Sequence, residues 1–567
     1  ILEIISIGCL AIYLSMILNV NINFSIFDTL ISYYNLSRLE IIIYAGISII
    51  ILFFLSTITN ILSIKYQNSF TSFVGSDFSQ RLYNYYLNQD YLYFVNNDTS
   101  IIFKKITADV QRFTDQFLRG LVTALSKILI CLMIFVVLLF YNFEISLIVF
   151  FLILFFYGIT RKIFKEKVNI AGKEITHQLG FVYEYISNTL SGIREAIYYD
   201  RTKFLKKQVR DNFNEIAANH IFLKTIGNIP KYVIELFSFT ILIVIISIFL
   251  YFDSSTDDMI LNLAIFGSAG YKLLPAMQAI YYALTDLYGH RDSFETIYKE
   301  LQLDKQMNKV SKISDEEKIQ IKEISSLKFD EVSFAYKQNK TINKINLLFK
   351  ENQKIGIVGK SGSGKSTIID LLLGFIDPSN GSILVNDKNI EKLSLKSIRE
   401  LIGFVSQSIF LFNDTISKNI SIDKEHNKEL IDKLSKICLL NDFLEDNNID
   451  INNDKIGNYG KSLSGGQKQR IGIARALYNN PKVLILDEAT SALDSINQNK
   501  ILSNILEFTN VSIIILITHN TNLLKNFDKI YLLDDGKIVA QGNFFELLTN
   551  NLLFKELTVN KEIKKKL

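Results

Sequence analysis

KIGIVGKSGSGKSTIIDLLLGF, residues 354–375, decides the fold. Its opening, IGIV, is an apolar run of strand length, and its close, TIIDLLLGF, carries apolar residues at helical spacing. Between them stands Gly359-x-x-x-x-Gly364-Lys365-Ser366, so the chain passes from a buried strand through a glycine-rich loop into a helix. The glycines let successive backbone N–H groups turn toward one centre, and the helix N-terminus adds a dipole that favours negative charge. Gly359, Lys360, Ser361, Gly362, Ser363, Gly364, Lys365, Ser366 and Thr367 are therefore expected to cradle phosphates, with Lys365 on the β/γ-phosphates and Ser366 on Mg2+.

Working outward, VLILDEAT at 483–490 is a second buried strand, ending in two acids. Asp487 is placed to support Mg2+ and Glu488, one residue past the strand, to polarise an attacking water as general base. Upstream, LKFDEVSFAY (327–336) and KINLLFK (344–350) also read as strands. From about residue 325 the chain is thus an α/β phosphate-loop domain, expected over 325–560. Residues 304–323, DKQMNKVSKISDEEKIQIKE, are charged and without a long apolar run; 301–324 is read as a linker.

Before about residue 285 the pattern changes to long apolar runs. A helix needs roughly 20 mostly apolar residues to cross the hydrocarbon core, and six candidate spans meet or approach this: 1–20, 41–64, 121–141, 145–160, 232–252 and 259–285. The first residue is Ile, so 1–20 is read as the remainder of a first span rather than a removed signal peptide. Lys and Arg sort sharply: 65–120 holds six and 161–231 thirteen, while the opposite connections hold only Arg38. The positive-inside rule puts both long loops in the cytoplasm. Apolar residues there recur at helical spacing, as in Ile102, Ile106, Val110 and Phe113, which predicts helices running on past the membrane and joined by short turns. The expected fold class is a polytopic α-helical membrane domain over 1–300 followed by the α/β domain.

Tryptophan is absent, so interfacial anchoring falls to tyrosines such as Tyr33, Tyr34, Tyr251 and Tyr281. Lys127, Glu235 and Lys272 lie within spans, where a charge costs about 2.5–3.5 kcal/mol on insertion scales. Lys127 is placed to snorkel to the inner interface, and Glu235 is one helical turn from Lys231. Lys272 falls in the cytoplasmic half of its span, where it can face an inner cavity or form a structural ion pair. Pro275 is expected to bend or break that helix.

Composition excludes several classes. The 567 residues are 49% hydrophobic and 21% charged, with mean hydropathy +0.22, too apolar for a disordered chain. A net charge of +4, from 61 basic and 57 acidic residues, is small for this length and argues against a basic polyanion binder. Cys9, Cys131 and Cys438 lie far apart, which argues against a disulfide framework or a zinc site.

LSGGQKQR at 463–470, between the two phosphate-site elements, resembles the signature of the ATP-binding cassette family, and with the six-span half the chain resembles an exporter-type half-transporter. The resemblance implies ATP and Mg2+ as ligands. It implies that Tyr336 in VSFAY stacks on adenine, that Gln407 in GFVSQ senses Mg2+ and the attacking water, and that His519 in ITH contacts the γ-phosphate. Ser464, Gly465, Gly466 and Gln467 are implied to close on ATP held by a second subunit, so a homodimer, or a heterodimer with another half-transporter, is expected. Ser491–Asp494 matches the loop linking the two sites, and Asn96–Lys105 and Tyr198–Phe204 match turns that dock on the ATPase. Two positions depart: Ile456-Gly457-Asn458-Tyr459-Gly460 lacks a common glutamate, and Asn520 stands where arginine is common.

NIPKYVIE (228–235) and YKLLPAMQAI (271–280) look similar to bacterial flippases of lipid-linked oligosaccharides. That implies export of a lipid-linked glycan or other lipid across a bacterial inner membrane, with Lys272 and Lys127 as candidate contacts for the substrate's phosphate. Export of a drug-like amphiphile, lipid A or a peptide is the alternative. A non-transporting nucleotide switch is a third class, disfavoured by the intact Glu488 and His519.

Overall fold

The computed structural model describes 37–251, 256–314, 318–336, 339–422, 427–456, 463–489, 495–507 and 511–564, with Leu493 and isolated positions between 5 and 17. By packing it divides into two units: Ile1–Gln89 with Tyr93–Asn308, and Asp90–Leu92 with Lys309–Leu567.

The first unit is helical. Helix α1 (Arg38–Leu87) is started by a capping box, in which Ser37 Oγ accepts from the Glu40 N–H and Glu40 Oε2 accepts from the Ser37 N–H. A short helix α2 (Tyr91–Asn96) leads to a 43-residue rod, α3 (Thr99–Tyr141). Helix α4 (Phe143–Ser191), capped by Asn142, is followed by short α5 (Ile193–Tyr198), then α6 (Thr202–Tyr251), α7 (Thr256–Gly289) and α8 (Arg291–Ser314). At 1.5 Å per residue the 50 residues of α1 reach about 75 Å, more than twice the ~30 Å hydrocarbon core. Leu39–Leu87 and Thr99–Tyr141 each have the length and apolar composition to cross a membrane.

Five of the six expected spans fall on these helices: one each on α1, α3, α4 and α7, and 232–252 on α6 up to Tyr251. The first, 1–20, lies almost wholly outside the described residues, as do Tyr33 and Tyr34. The break expected at Pro275 does not occur. Helix α7 continues through it, and α6 likewise through Pro230. A proline inside a long helix is tolerated where neighbouring groups take up the carbonyl it frees. Helix α8 extends to Ser314, so the first half of 301–324, read as linker, is helical and the packing units divide between Asn308 and Lys309. Glycines set the closest crossings. A Cβ on Gly172 of α4 would run into the carbonyl oxygen of Gly289 at the end of α7, so only glycine permits that approach.

The second unit is α/β. A six-stranded sheet has the order β10-β9-β3-β8-β7-β6, built from β3 (Gln353–Gly359), β6 (Ile402–Val405), β7 (Val483–Asp487), β8 (Ile513–Ile517), β9 (Lys529–Asp534) and β10 (Lys537–Gly542). All neighbours pair in parallel except β10 with β9. Strands β7 and β8 are buried along their whole length, which is why they read as unbroken apolar runs. A smaller antiparallel sheet, order β2-β1-β4-β5, contains β1 (Ser326–Tyr336), β2 (Asn339–Lys350), β4 (Asn380–Val385) and β5 (Lys388–Asn389). Leu92 packs against this unit's core, so Asp90–Leu92, just before the expected docking stretch Asn96–Lys105, belong to it.

Candidate functional site

Strand order assembles the site. Strands β3, β8, β7 and β6 are consecutive neighbours and parallel, so their carboxyl ends lie side by side on one edge, the edge at which open α/β sheets bind ligands. From those four ends issue the phosphate loop after Gly359, Thr518-His519, Asp487-Glu488 and Ser406-Gln407. Neighbouring strands are about 4.8 Å apart, which brings together residues that sequence separates by up to 160 positions.

The loop turns through Gly362 (φ 79°) and Gly364 (φ 102°), both left-handed, and opens into helix α9 (Lys365–Leu372). A Cβ on Gly359 would collide with the Leu533 carbonyl oxygen, so the strand end admits only glycine. Lys365 Nζ donates to the carbonyl oxygens of Gly359 (3.0 Å) and Lys360 (2.7 Å), folding its ammonium over the loop. Burial lowers its pKa, and the carboxylates of Glu488 and Asp487 oppose that. Ser363 Oγ is buried without a hydrogen-bond partner. A glycine-turned loop with a buried lysine and an unmet serine hydroxyl fits a polyphosphate. Tyr336, at the end of β1, is half-buried near Thr367 and Asp370, its pKa raised mainly by burial.

Glu488 is the centre of the constellation. Its Oε2 accepts from Gln407 Nε2 at 3.0 Å, and its Oε1 lies 2.8 Å from His519 Nε2, a contact that places the proton on that nitrogen. Its backbone is left-handed (φ 49°), a conformation costing about 1–3 kcal/mol for such a residue. The Ile517 carbonyl fixes it by accepting from the Glu488 N–H at 3.0 Å. Beside it Asp487 is 8% exposed, and its pKa is pushed up to about 6, chiefly by burial and then by the charge of Glu488. Two adjacent acids, one held by two donors and one buried with its pKa raised, suit a base beside a cation ligand.

The signature residues start helix α10 (Gly465–Tyr478). Ser464 is its N-cap, its Oγ accepting from the Gln467 N–H at 3.3 Å while Gln467 Oε1 accepts from the Ser464 N–H at 2.7 Å. Gly465 is exposed at this N-terminus, with Gly466 beside it. Two residues escaped sequence reasoning, the first being Gln469, whose Nε2 donates to the Glu488 carbonyl at 3.3 Å and ties this helix to that strand end. Its only signal was a second glutamine two positions after Gln467. Arg475, also unremarked, donates to Phe410 and Asn419 and anchors the segment after Gln407.

The structure therefore brings Lys365, Gln407, Asp487, Glu488 and His519 together on one sheet edge. Lys127, half-buried on α3, and Lys272, half-buried on α7, belong to the other unit. Of Ser491–Asp494 only Leu493 is described, and Gly457–Gly460 lie outside the described residues.

Two family models match this chain, the ABC transporter transmembrane region over 2–267 and the ABC transporter over 342–491. The chain belongs to the ABC transporter family. Its exporter-type architecture, a helical transmembrane region followed by a nucleotide-binding α/β domain, is similar to a solved bacterial Atm1-family ABC exporter with ATP bound, at TM-score 0.78 and 21% identity over 99% of this chain and 97% of that one. Among curated relatives, a "Putative export ATP-binding/permease protein" of Rickettsia bellii is 42% identical over 42% of this chain, and the match spans only 41% of that relative's length. ATP-dependent lipid A-core flippases of Photorhabdus laumondii and Yersinia pestis are 26% and 27% identical over 84% of this chain and 82% and 81% of theirs.

Proposed function

We propose that this chain is one half of an exporter that hydrolyses ATP to move a lipid or other amphiphile outward across a bacterial inner membrane, its ATPase domain in the cytoplasm. The observation that carries the reading is Glu488, held between Gln407 and His519 at the end of a strand next to the phosphate loop. Each carboxylate oxygen accepts one hydrogen bond here and keeps a lone pair for water. Glu488 is thus the general base, Gln407 orients the water, and His519 and Lys365 meet the γ-phosphate, where negative charge grows.

Gly359 to Thr367 cradle the phosphates and Tyr336 stacks on adenine. Ser366, Gln407 and Asp487 would hold Mg2+, which when bound neutralises charge on the β/γ-phosphate oxygens. The signature, Ser464 to Gln467, completes the ATP site of a second copy, which makes the working unit a dimer of half-transporters; with every site element intact in this chain, a homodimer is favoured. The proposed organisation is a membrane domain over 1–300, a linker over 301–324 and a nucleotide-binding domain over 325–560.

A lipid substrate is favoured because the relatives that align over four-fifths of their length are named lipid A-core flippases. Lys272 and Lys127 are the proposed contacts for its phosphate. The experiment is ATP turnover of the chain in lipid nanodiscs beside Glu488→Gln, with and without a polyprenyl-pyrophosphate glycan or lipid A. Turnover abolished by Glu488→Gln is expected. Turnover unchanged by that substitution would overturn the ATPase reading, and stimulation by neither lipid would overturn the lipid reading alone.

A further inference from the structure

The rod α3 is not a uniform α-helix. Two stretches are π-helical, Lys105–Asp109 and Phe113–Leu118, separated by one α turn at Val110–Arg112. π turns are rare, arise from one extra residue in a helix, and concentrate at functional positions. Around the first one sits a buried set of charges. Lys104 Nζ lies 3.1 Å from Asp109 Oδ2, with both side chains more than nine-tenths buried. These two residues are five apart. An α-helix brings together residues three or four apart, not five, whereas the widened π turn aligns them. Ion pair and π turn therefore require each other.

A second cation already lies beside Asp109. Arg112, three residues on, has Nη1 at 4.0 Å from Asp109 Oδ1, while that same nitrogen donates to Thr176 Oγ1 at 3.0 Å. Its Nε and Nη2 are buried without hydrogen-bond partners. Desolvation lowers the pKa of this guanidinium, and Asp109 and Asp292 oppose that. A spacing of three is what an α-helix brings together. Closing the π turn to α would separate Asp109 from Lys104 and leave it to Arg112, whose spacing of three already falls on an α turn and whose Nε and Nη2 are unused.

This place is also where the unit's helices meet. Ser79 of α1 donates to the Ile106 carbonyl at 2.9 Å, within the first π turn. Lys105 pairs with Glu300 of α8 at 2.6 Å. Thr176, the partner of Arg112, donates in turn to Gly172 at 3.1 Å, the glycine packed on Gly289, where α7 ends. In the second π stretch Phe117 stacks on Phe294 of α8, with centroids 4.8 Å apart and planes within 8°.

We propose that Lys104, Asp109 and Arg112 form a two-position latch in rod α3: Asp109 on Lys104 holds the π form described here, Asp109 on Arg112 holds an α form, and transport moves the rod between them. The device is a two-state element of the kind that transmits a change between sites.

The test uses the full chain in nanodiscs and rests on the ATP reading above. The sequence contains no tryptophan, so Phe117→Trp places a single fluorescent reporter on the stacked pair. In the Glu488→Gln background, adding Mg-ATP is expected to shift its emission maximum. The shift is expected to vanish with Arg112→Met, which removes the second seat, and with deletion of Thr107. That deletion removes one residue from the first π turn and makes the Lys104–Asp109 spacing four, so it is expected to fold as a plain α turn in which Asp109 stays on Lys104 and cannot pass to Arg112 alone, whereas deleting Thr123 from the all-α part should be destructive. Unchanged emission while radiolabelled ATP is retained overturns the latch and leaves the ATP reading intact. So does a shift that survives both variants, or a Thr107 deletion no better tolerated than that of Thr123. ATP not retained would overturn the nucleotide reading and the latch with it.

Discussion

Asp109 in the membrane unit and Asp487 in the nucleotide unit are both buried carboxylates, and their surroundings differ in kind. Asp109 has two cations within 4 Å, Lys104 and Arg112. Asp487 has another acid beside it, Glu488, and its pKa is pushed up to about 6 by burial first and by that neighbour second. A charge enclosed among opposite charges fixes structure, because removing either side strands the other. A charge held beside a like charge waits for a ligand to neutralise it. The comparison thus separates acids that hold the protein together from acids that do its chemistry, and it can be broken at either end.

The largest expected effect is on the chemical side. Glu488→Gln keeps the shape and the contact with Gln407 and removes the proposed base, and general-base catalysis is worth about 10²–10⁴-fold. ATP turnover should fall by at least about 100-fold with ATP binding retained and the melting temperature little changed. A drop of less than tenfold would mean that another group takes the proton. On the structural side, Asp109→Ala leaves two buried cations uncompensated. Breaking a buried pair typically costs about 3–5 kcal/mol, so thermal unfolding in nanodiscs should shift sharply downward. Lys104→Met and Arg112→Met combined with Asp109→Leu should restore much of the loss, since apolar replacement of a whole buried triad is often tolerated. If the triple variant is as unstable as Asp109→Ala, Asp109 serves more than its cations.

The two regions were unequally legible in the sequence. The phosphate loop, the acid pair and the signature are local patterns whose chemistry follows from adjacent residues, so each could be read in place. The Gln407–Glu488 contact could not, because it spans 81 residues and depends on β6, β7 and β8 being neighbours in that order. Gln469 was hidden for a similar reason, since its partner is a backbone carbonyl on another element. In the membrane half, apolar runs and basic asymmetry gave helices that outrun the membrane, as α1, α4 and α6 do. The π turns left no mark, because Ile102, Ile106, Val110 and Phe113 keep ordinary spacings of four and three across the first of them. Of the bend or break expected at Pro275, the break does not occur, since α7 runs on through it.

The next effect sharpens the contrast through pH. The carboxyl of Asp487 rises from an ordinary 3.8 to about 6 on folding, so the folded state binds a proton that the unfolded state releases between those values. The stability this linkage supplies is fully present below about pH 4 and is lost as pH rises through about 6. At pH 7.5 the buried charge therefore costs of order 1–3 kcal/mol. Asp487→Asn should raise the melting temperature of the nucleotide-free protein at pH 7.5, and the gain over wild type should shrink toward pH 4.5, where the wild-type carboxyl is protonated. A gain that stays constant across this range would show that the buried charge of Asp487 is not what strains the site.

The smallest effect tests whether the signature serves its own fold or a second subunit's ATP. Ser464 caps helix α10 with one hydrogen bond to the Gln467 N–H, and losing an N-cap typically costs about 1 kcal/mol. Ser464→Ala should lower stability by about that much, and Ser464→Asp, also a good cap, should recover it. Turnover should separate the two substitutions from their stabilities. If Ser464 faces the γ-phosphate of a second copy, the aspartate places a negative charge against a negative ligand, and ATP hydrolysis should fall further in Ser464→Asp than in Ser464→Ala although the aspartate variant is the more stable. Activity that simply tracks stability in both would confine Ser464 to capping, and the proposed dimeric ATP site would then have to be closed by Gly465, Gly466 and Gln467.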